Sequence, residues 1–165
     1  MPVRRCSSFS SHRMRSRSFA SRFESGSSGA WGDGAPPLEC VTFMLVRNGH
    51  VLAEKRKATR RLAPGAIALP GGHVEAGEAL EDALQRELHE ELGIAAERAA
   101  YVCTLLHRAE EWRKLHYFAV EAWRGEILNQ EAEALLWVPL DEPAALEIDV
   151  DRTAVAEYVR LSQGA

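Results

Sequence analysis

Glu87, Glu90 and Glu91 fall at i, i+3 and i+4 within residues 79–92, Ala-Leu-Glu-Asp-Ala-Leu-Gln-Arg-Glu-Leu-His-Glu-Glu-Leu. Nearly all of these are good helix formers, and Gly93 follows where a left-handed C-cap belongs, so the stretch reads as a helix. At about 100° per residue, Leu80, Leu84, Leu88 and Leu92 cover an arc from roughly 0° to 120°, the face that would be buried. Glu87 and Glu91 then fall at about −20° and +20°, and Glu90 at about −80°. Two carboxylates therefore stand at the edge of an apolar face or within it, where low dielectric and mutual repulsion make bare charges costly. Something positive has to hold them. Arg86, four before Glu90, can serve one of them. A hard divalent cation could serve all three, and an all-carboxylate set of oxygens suits Mg²⁺ or Mn²⁺. An ordinary acidic helix laced with i, i+4 pairs accounts for Arg86 with Glu90 and leaves Glu87 and Glu91 without a reason. Spacing alone keeps both readings open.

The same residues lie inside a longer pattern. Residues 72–94 read Gly72, five residues, Glu78, seven residues, Arg86-Glu87-Leu88, one residue, Glu90-Glu91, one residue, Gly93-Ile94. This resembles the Nudix box, Gx5Ex7REUxEExGU with U aliphatic, and all nine constrained positions over 23 residues are matched. The resemblance extends more loosely over residues 40–160, through a hairpin before the box, the Leu69-Pro70-Gly71-Gly72 approach and an acidic segment before Trp137-Val138-Pro139. It implies an α/β fold, a Nudix-type α/β/α sandwich with a mixed β-sheet. It also implies Mg²⁺-dependent hydrolysis of a nucleoside diphosphate linked to another group, with Mn²⁺ as an alternative metal.

Carried over by position, Glu90 and Glu91 would be the main metal ligands, Glu87 would ligate or orient water, and the Gly72 carbonyl would complete the shell. Arg86 would orient Glu87, Glu78 would support from behind, and Gly93 would allow the tight exit from the helix. A further glutamate outside the box often binds metal or serves as general base in this family. Glu131, six before Trp137, matches that place better than Glu133, and both stay candidates. Lys55, Arg56 and Arg60 could steady the distal phosphates, an inference from position alone. The wording Gly71-Gly72-His73-Val74-Glu75 and Lys55-Arg56-Lys57 is similar to members that take pyrophosphate from nucleoside triphosphates, oxidised ones such as 8-oxo-dGTP included. The position two before Leu69, often aromatic in the family, is Ile67. The alternatives are a pyrophosphatase of ADP-ribose, a nucleotide sugar or a dinucleotide, and a Nudix-like module that binds nucleotide without cleaving it.

These residues need a scaffold, and the chain outside the helix reads mainly as strands. Residues 40–46 are apolar, and Asn48-Gly49 turns them back into residues 51–56, a hairpin. A basic cluster follows, Lys55, Arg56, Lys57, Arg60 and Arg61, either a solvated loop or a phosphate-facing rim. Residues 67–69 predict a short strand before Pro70-Gly71-Gly72, which no regular element tolerates easily. Residues 101–107, 115–123 and 135–138 predict three more strands, and residues 149–161 a terminal amphipathic helix. Trp112, Tyr117, Trp123 and Trp137 could include a base-stacking platform, although core packing suits each singly. His73, His107 and His116 could approach substrate but read first as surface or core, and Cys103 reads as an inert thiol in an apolar strand.

Composition bounds the rest. The formal net charge is −4, yet residues 1–37 hold six Arg against Glu24 and Asp33, so residues 38–165 carry the acidic surplus. Ten of the eleven Ser lie in that first stretch. The chain thus divides into a basic Ser/Arg-rich tail, disordered or a transit peptide, and a domain over residues 38–165. No uncharged run is long enough and free enough of Pro and Gly to span a bilayer. Three Cys without a CxxC pair give neither a disulfide framework nor a structural zinc site. An acidic domain argues against binding nucleic acid through its backbone charge. The expected partner is a small nucleotide in the cytoplasm, or in a mitochondrion or other organelle if the tail is a transit peptide; a homodimer is left open.

Overall fold

The computed structural model describes residues 35–164, so the tail and its transit-peptide reading lie almost wholly outside the described residues. The elements run β1 (Leu38–Arg47), β2 (His50–Lys55), β3 (Ile67–Ala68), β4 (Gly71–His73), α1 (Leu80–Leu92), β5 (Ala95–Arg108), β6 (Trp112–Arg124), β7 (Ala134–Pro139), a 3-10 turn at Pro143–Ala145, and α2 (Asp149–Gln163). Among the described residues no helix is long and apolar enough to cross a membrane.

β1 is the spine. One edge runs parallel to β6 from Leu38 to Leu45, and β6 continues antiparallel into β5, which makes the sheet mixed as expected. The other edge of β1 meets β2 only beside the Asn48-Gly49 turn, at Val46↔Val51 and Arg47↔His50. Beyond those pairs the hairpin opens, and the segment after the basic loop enters the gap: β3 pairs with β2, then β4 pairs with β1 at Cys40↔His73 to Thr42↔Gly71. The expectation that Pro70-Gly71-Gly72 forms no regular element is therefore corrected at its second half. Glycine is what permits the pairing, because a Cβ on Gly71 would stand 2.2 Å from the Val41 carbonyl oxygen. β5 begins earlier than its aliphatic run suggests, its Ala-rich start being held by β6 through several register shifts.

Side chains of β1 alternate between two cores. Val41, Phe43 and Leu45 pack with Leu84, Leu88 and Leu92 of α1, whereas Met44 packs with Tyr117, Ala154 and Val155 beneath α2. One helix thus covers each face, the layered arrangement the sequence implied. α1 ends as its sequence suggests: Gly93 adopts φ 69°, and the N–H groups of Gly93 and Ile94 reach the carbonyls of His89 and Leu88.

Candidate active site

α1 presents two carboxylates inward. Glu87 and Glu91 are buried together with Leu84, Leu88 and Leu92, whereas the Glu90 side chain is half exposed. The helical-wheel placement of all three therefore holds. Glu87 and Glu91 line a cleft of about 710 Å³ together with Gly72, Arg86, Glu131, His73, His107, Arg113 and Asp151, whereas Glu90 is not part of that lining.

Arg86 organises the outer side of this helix. It grips Glu78 with two parallel bonds of 2.9 Å, donates to Glu87 at 2.7 Å and Glu90 at 3.3 Å, and reaches the His73 carbonyl at 2.8 Å. Glu78 also accepts the Glu75 N–H at 2.9 Å, and these donors hold its carboxyl down at about 2. Burial raises Glu87, with Arg86 opposing. The Glu87 carboxylate lies against Gly72 so closely that a Cβ there would stand 2.1 Å from it. Replacing Gly72 by alanine should therefore push Glu87 aside and lower kcat by about a hundredfold with little change in fold content, as measured by steady-state turnover beside circular dichroism.

Glu91 is the exceptional group. It is 7 % exposed, and its Oε2 has no hydrogen-bond partner. Burial, reinforced by the charges of Glu54, Glu87 and Glu131, pushes its carboxyl up to about 9. A buried acid so raised marks a place short of positive charge.

Glu131 reaches this place because the segment after β6 folds back over the end of α1. The N–H groups of Leu128 and Gln130 donate to the carbonyls of Leu92 and Glu91, and Gln130 Nε2 donates to the His89 carbonyl. The Leu92 and Glu91 carbonyls, which α1 cannot satisfy by itself, are met in this way. Glu131 lines the cleft and accepts from Arg60 at 2.5 Å. Glu133 instead pairs with Lys55 at 2.7 Å, and neither of those two lines the cleft. Arg56 and Arg60 are brought to it.

Besides Asp151 of the cleft lining, two residues escaped the sequence reading. Glu54 on β2 is 3 % exposed and bonded to Arg56 at 2.9 Å, its carboxyl raised by burial. Its only sequence signal is an acid directly after the apolar run Val51-Leu52-Ala53. Arg113 on β6 has a buried Nε without an acceptor, a 3.1 Å contact to His73 Nε2, and a distant ion pair with Glu111 at 3.7 Å. Nothing in the sequence distinguishes it from other strand-end arginines. Among the aromatic candidates, Tyr117 is core, Trp123 and Trp137 flank the Arg47 guanidinium, Trp112 faces Arg108, and none lines the cleft. His73 and His107 line it, whereas His116 is buried between Glu39 and Thr104. Burial raises the Cys103 thiol, in keeping with an inert group.

Among the described residues, no group of three or more His, Cys, Asp or Glu side chains is drawn together tightly enough to hold a metal ion as it stands. The reason is visible: Arg86 engages Glu87 and Glu90, and Arg60 engages Glu131. The donor set nevertheless fits a hard cation. It consists of carboxylate and carbonyl oxygens, one carboxylate oxygen is buried without a partner, and the acid bearing it is raised for want of a counter-charge.

A family model described as NUDIX domain matches residues 38–158. A CTP pyrophosphohydrolase of Escherichia coli is 35% identical over 108 residues, which cover 64% of this chain and 78% of the relative. An 8-oxo-dGTP diphosphatase of Haemophilus influenzae is 36% identical over 97 residues, 57% of this chain and 71% of the relative. The crystal structure of a MutT NUDIX hydrolase from Burkholderia pseudomallei superposes with a TM-score of 0.67 at 35% identity, covering 74% of this chain and 98% of that one.

Proposed function

Because the chain belongs to the NUDIX family of hydrolases, we propose that it converts a nucleoside triphosphate, oxidised forms included, to the monophosphate and pyrophosphate with the help of Mg²⁺ or Mn²⁺. The observation that carries this reading is the buried, partnerless carboxylate oxygen of Glu91, set among Glu54, Glu87 and Glu131 beside Gly72. The relatives named as a CTP pyrophosphohydrolase and an 8-oxo-dGTP diphosphatase support the substrate class.

Glu87, Glu90, Glu91, Glu131 and the Gly72 carbonyl would hold the cation. When bound, it supplies the charge that neutralises diphosphate oxygens and makes water a better nucleophile. The remaining work falls to the chain itself. Arg86 holds Glu87 against the bare backbone of Gly72, and Glu78 holds Arg86, so the inner carboxylates are oriented before substrate arrives. Arg56, anchored by Glu54, offers a fixed guanidinium to the phosphates. The oxygen of water bonds to one of the two bridged phosphorus atoms, the bond from that phosphorus to the bridging oxygen breaks, and the other phosphate group leaves with the bridging oxygen. Glu131, on the cleft lining, takes the proton of the water through the carboxylate oxygen that does not hold the cation.

Mg²⁺ assays of the purified chain against dCTP, 8-oxo-dGTP, ADP-ribose and NADH, with both products identified, test this. Monophosphate and pyrophosphate from a triphosphate are expected. Preferential cleavage of ADP-ribose would move the assignment to the nucleoside diphosphate class, and absence of turnover on all four would favour a binding module.

A further inference from the structure

Arg60 supplies positive charge within the acidic cluster. Its Nη2 donates to Glu131 at 2.5 Å, and its charge also acts on Glu91 and Glu54, lowering both against the burial that raises them. The neighbouring guanidinium groups are committed differently: Arg56 to the buried Glu54, Arg86 to Glu78, Glu87 and Glu90. Arg60 comes from the loop between β2 and β3, its side chain is 39% exposed, and the Glu131 partner is 43% exposed. An ion pair so exposed holds weakly and is readily exchanged.

We infer that Arg60 is an internal stand-in for the divalent cation: cation entry takes Glu131 from it, and the freed guanidinium turns to the substrate diphosphate. The inference rests on the metal-dependent reading above. A guanidinium and a divalent cation compete for the same Glu131 oxygens, so each weakens the other there. A diphosphate removes the conflict, because it offers Arg60 paired oxygens matched to the guanidinium fork while adding negative charge beside the cation. Cation and diphosphate binding are then positively coupled through one side chain that lines the cleft.

The test uses the full chain and two probes: Mn²⁺ alone, followed by electron paramagnetic resonance, and inorganic pyrophosphate at saturating Mn²⁺, followed by calorimetry. Arg60→Ala is expected to bind Mn²⁺ about three- to tenfold more tightly than the parent chain and pyrophosphate about tenfold more weakly. Arg60→Lys, which keeps the charge, should stay within about twofold of the parent for Mn²⁺. Lys55→Ala, which removes the same charge from the neighbouring Lys55–Glu133 pair, should also stay within about twofold. Unchanged or weaker Mn²⁺ binding in Arg60→Ala, an equal gain in Lys55→Ala or Arg60→Lys, or unchanged pyrophosphate affinity overturns the inference. Glu91→Gln separates it from the reading beneath: that variant loses Mn²⁺ whatever Arg60 does, and parent-like Mn²⁺ affinity in it overturns the site itself.

Discussion

Replacing Glu91 by glutamine is expected to abolish nearly all turnover, by about a thousandfold, while making the protein more stable in the absence of divalent metal. The two effects have one cause. Burial and three neighbouring carboxylates raise the Glu91 acid from 4.5 to about 9, so the native state binds its proton more tightly than the unfolded chain does. The contribution of that group is fully present below pH 4.5 and is lost as pH rises towards 9. Glutamine does not titrate, so its advantage over glutamate grows across the same window. Near pH 7.5, three pH units above 4.5, the gain should approach about 4 kcal/mol, which raises Tm by roughly 10 °C for a domain of this size. Millimolar Mg²⁺ should narrow or reverse the order, because ligand that binds only the native parent stabilises it. Melting curves of both proteins with chelator and with Mg²⁺, beside turnover, measure all of this. A glutamine variant that keeps parent activity, or that melts lower in chelator, contradicts the proposed role.

Asp151→Ala is expected to destabilise the fold by about 3 kcal/mol, a fall in Tm of roughly 10 °C. Asp151 lies in the first turn of α2 and is 3 % exposed. Its Oδ2 accepts the Leu69 N–H at 2.9 Å and its Oδ1 accepts the Tyr117 hydroxyl at 2.8 Å. One carboxylate thus fastens α2 both to the sheet and to the segment that leads into Gly71 and Gly72. Alanine would strand two buried donors. Asparagine should cost much less, since its Oδ1 can accept from Leu69 while its amide donates to a reoriented Tyr117 hydroxyl. Burial raises the Asp151 acid from 3.8 to about 6 despite these bonds, so the parent loses stability as pH rises between those values. The asparagine variant should lack that slope. Denaturant titrations of the three proteins at pH 4 and pH 7 check both statements; equal stability of the alanine variant and the parent would refute the first.

Much of the site was legible because helical spacing is local. Leu80 to Leu92 set a buried stripe, and the angular positions of Glu87 and Glu91 relative to it follow from helix geometry alone. Gly93 as C-cap follows from the same local rules. The mixed sheet and the helix on each face were carried by the resemblance to the Nudix box and agree with the observed pairing. Where local rules misled, a tertiary contact won. Pro70-Gly71-Gly72 has poor strand propensity, yet β4 forms because the opened β1–β2 hairpin offers its edge and glycine lets the backbones close. The basic cluster looked uniform in sequence, and only folding sorted it: Lys55 pairs with Glu133 outside the cleft, whereas Arg56, held by Glu54, and Arg60, paired with Glu131, join its lining.

By itself, then, the sequence determined the family of this protein, through a helix with carboxylates on its buried edge and a box matched at all nine constrained positions. Only the tertiary structure decided which distant groups complete the cleft. Arg113, Asp151 and the choice of Glu131 over Glu133 as the cleft residue come from a strand, a second helix and a loop, and Glu54 acts on Glu91 from β2 behind the lining. The physical reason is range. Helix periodicity and capping act within a few residues, whereas burial and electrostatic shifts depend on what the fold places around a group. That is why Glu54, an acid unremarked in sequence, becomes the charged neighbour that acts most strongly on Glu91.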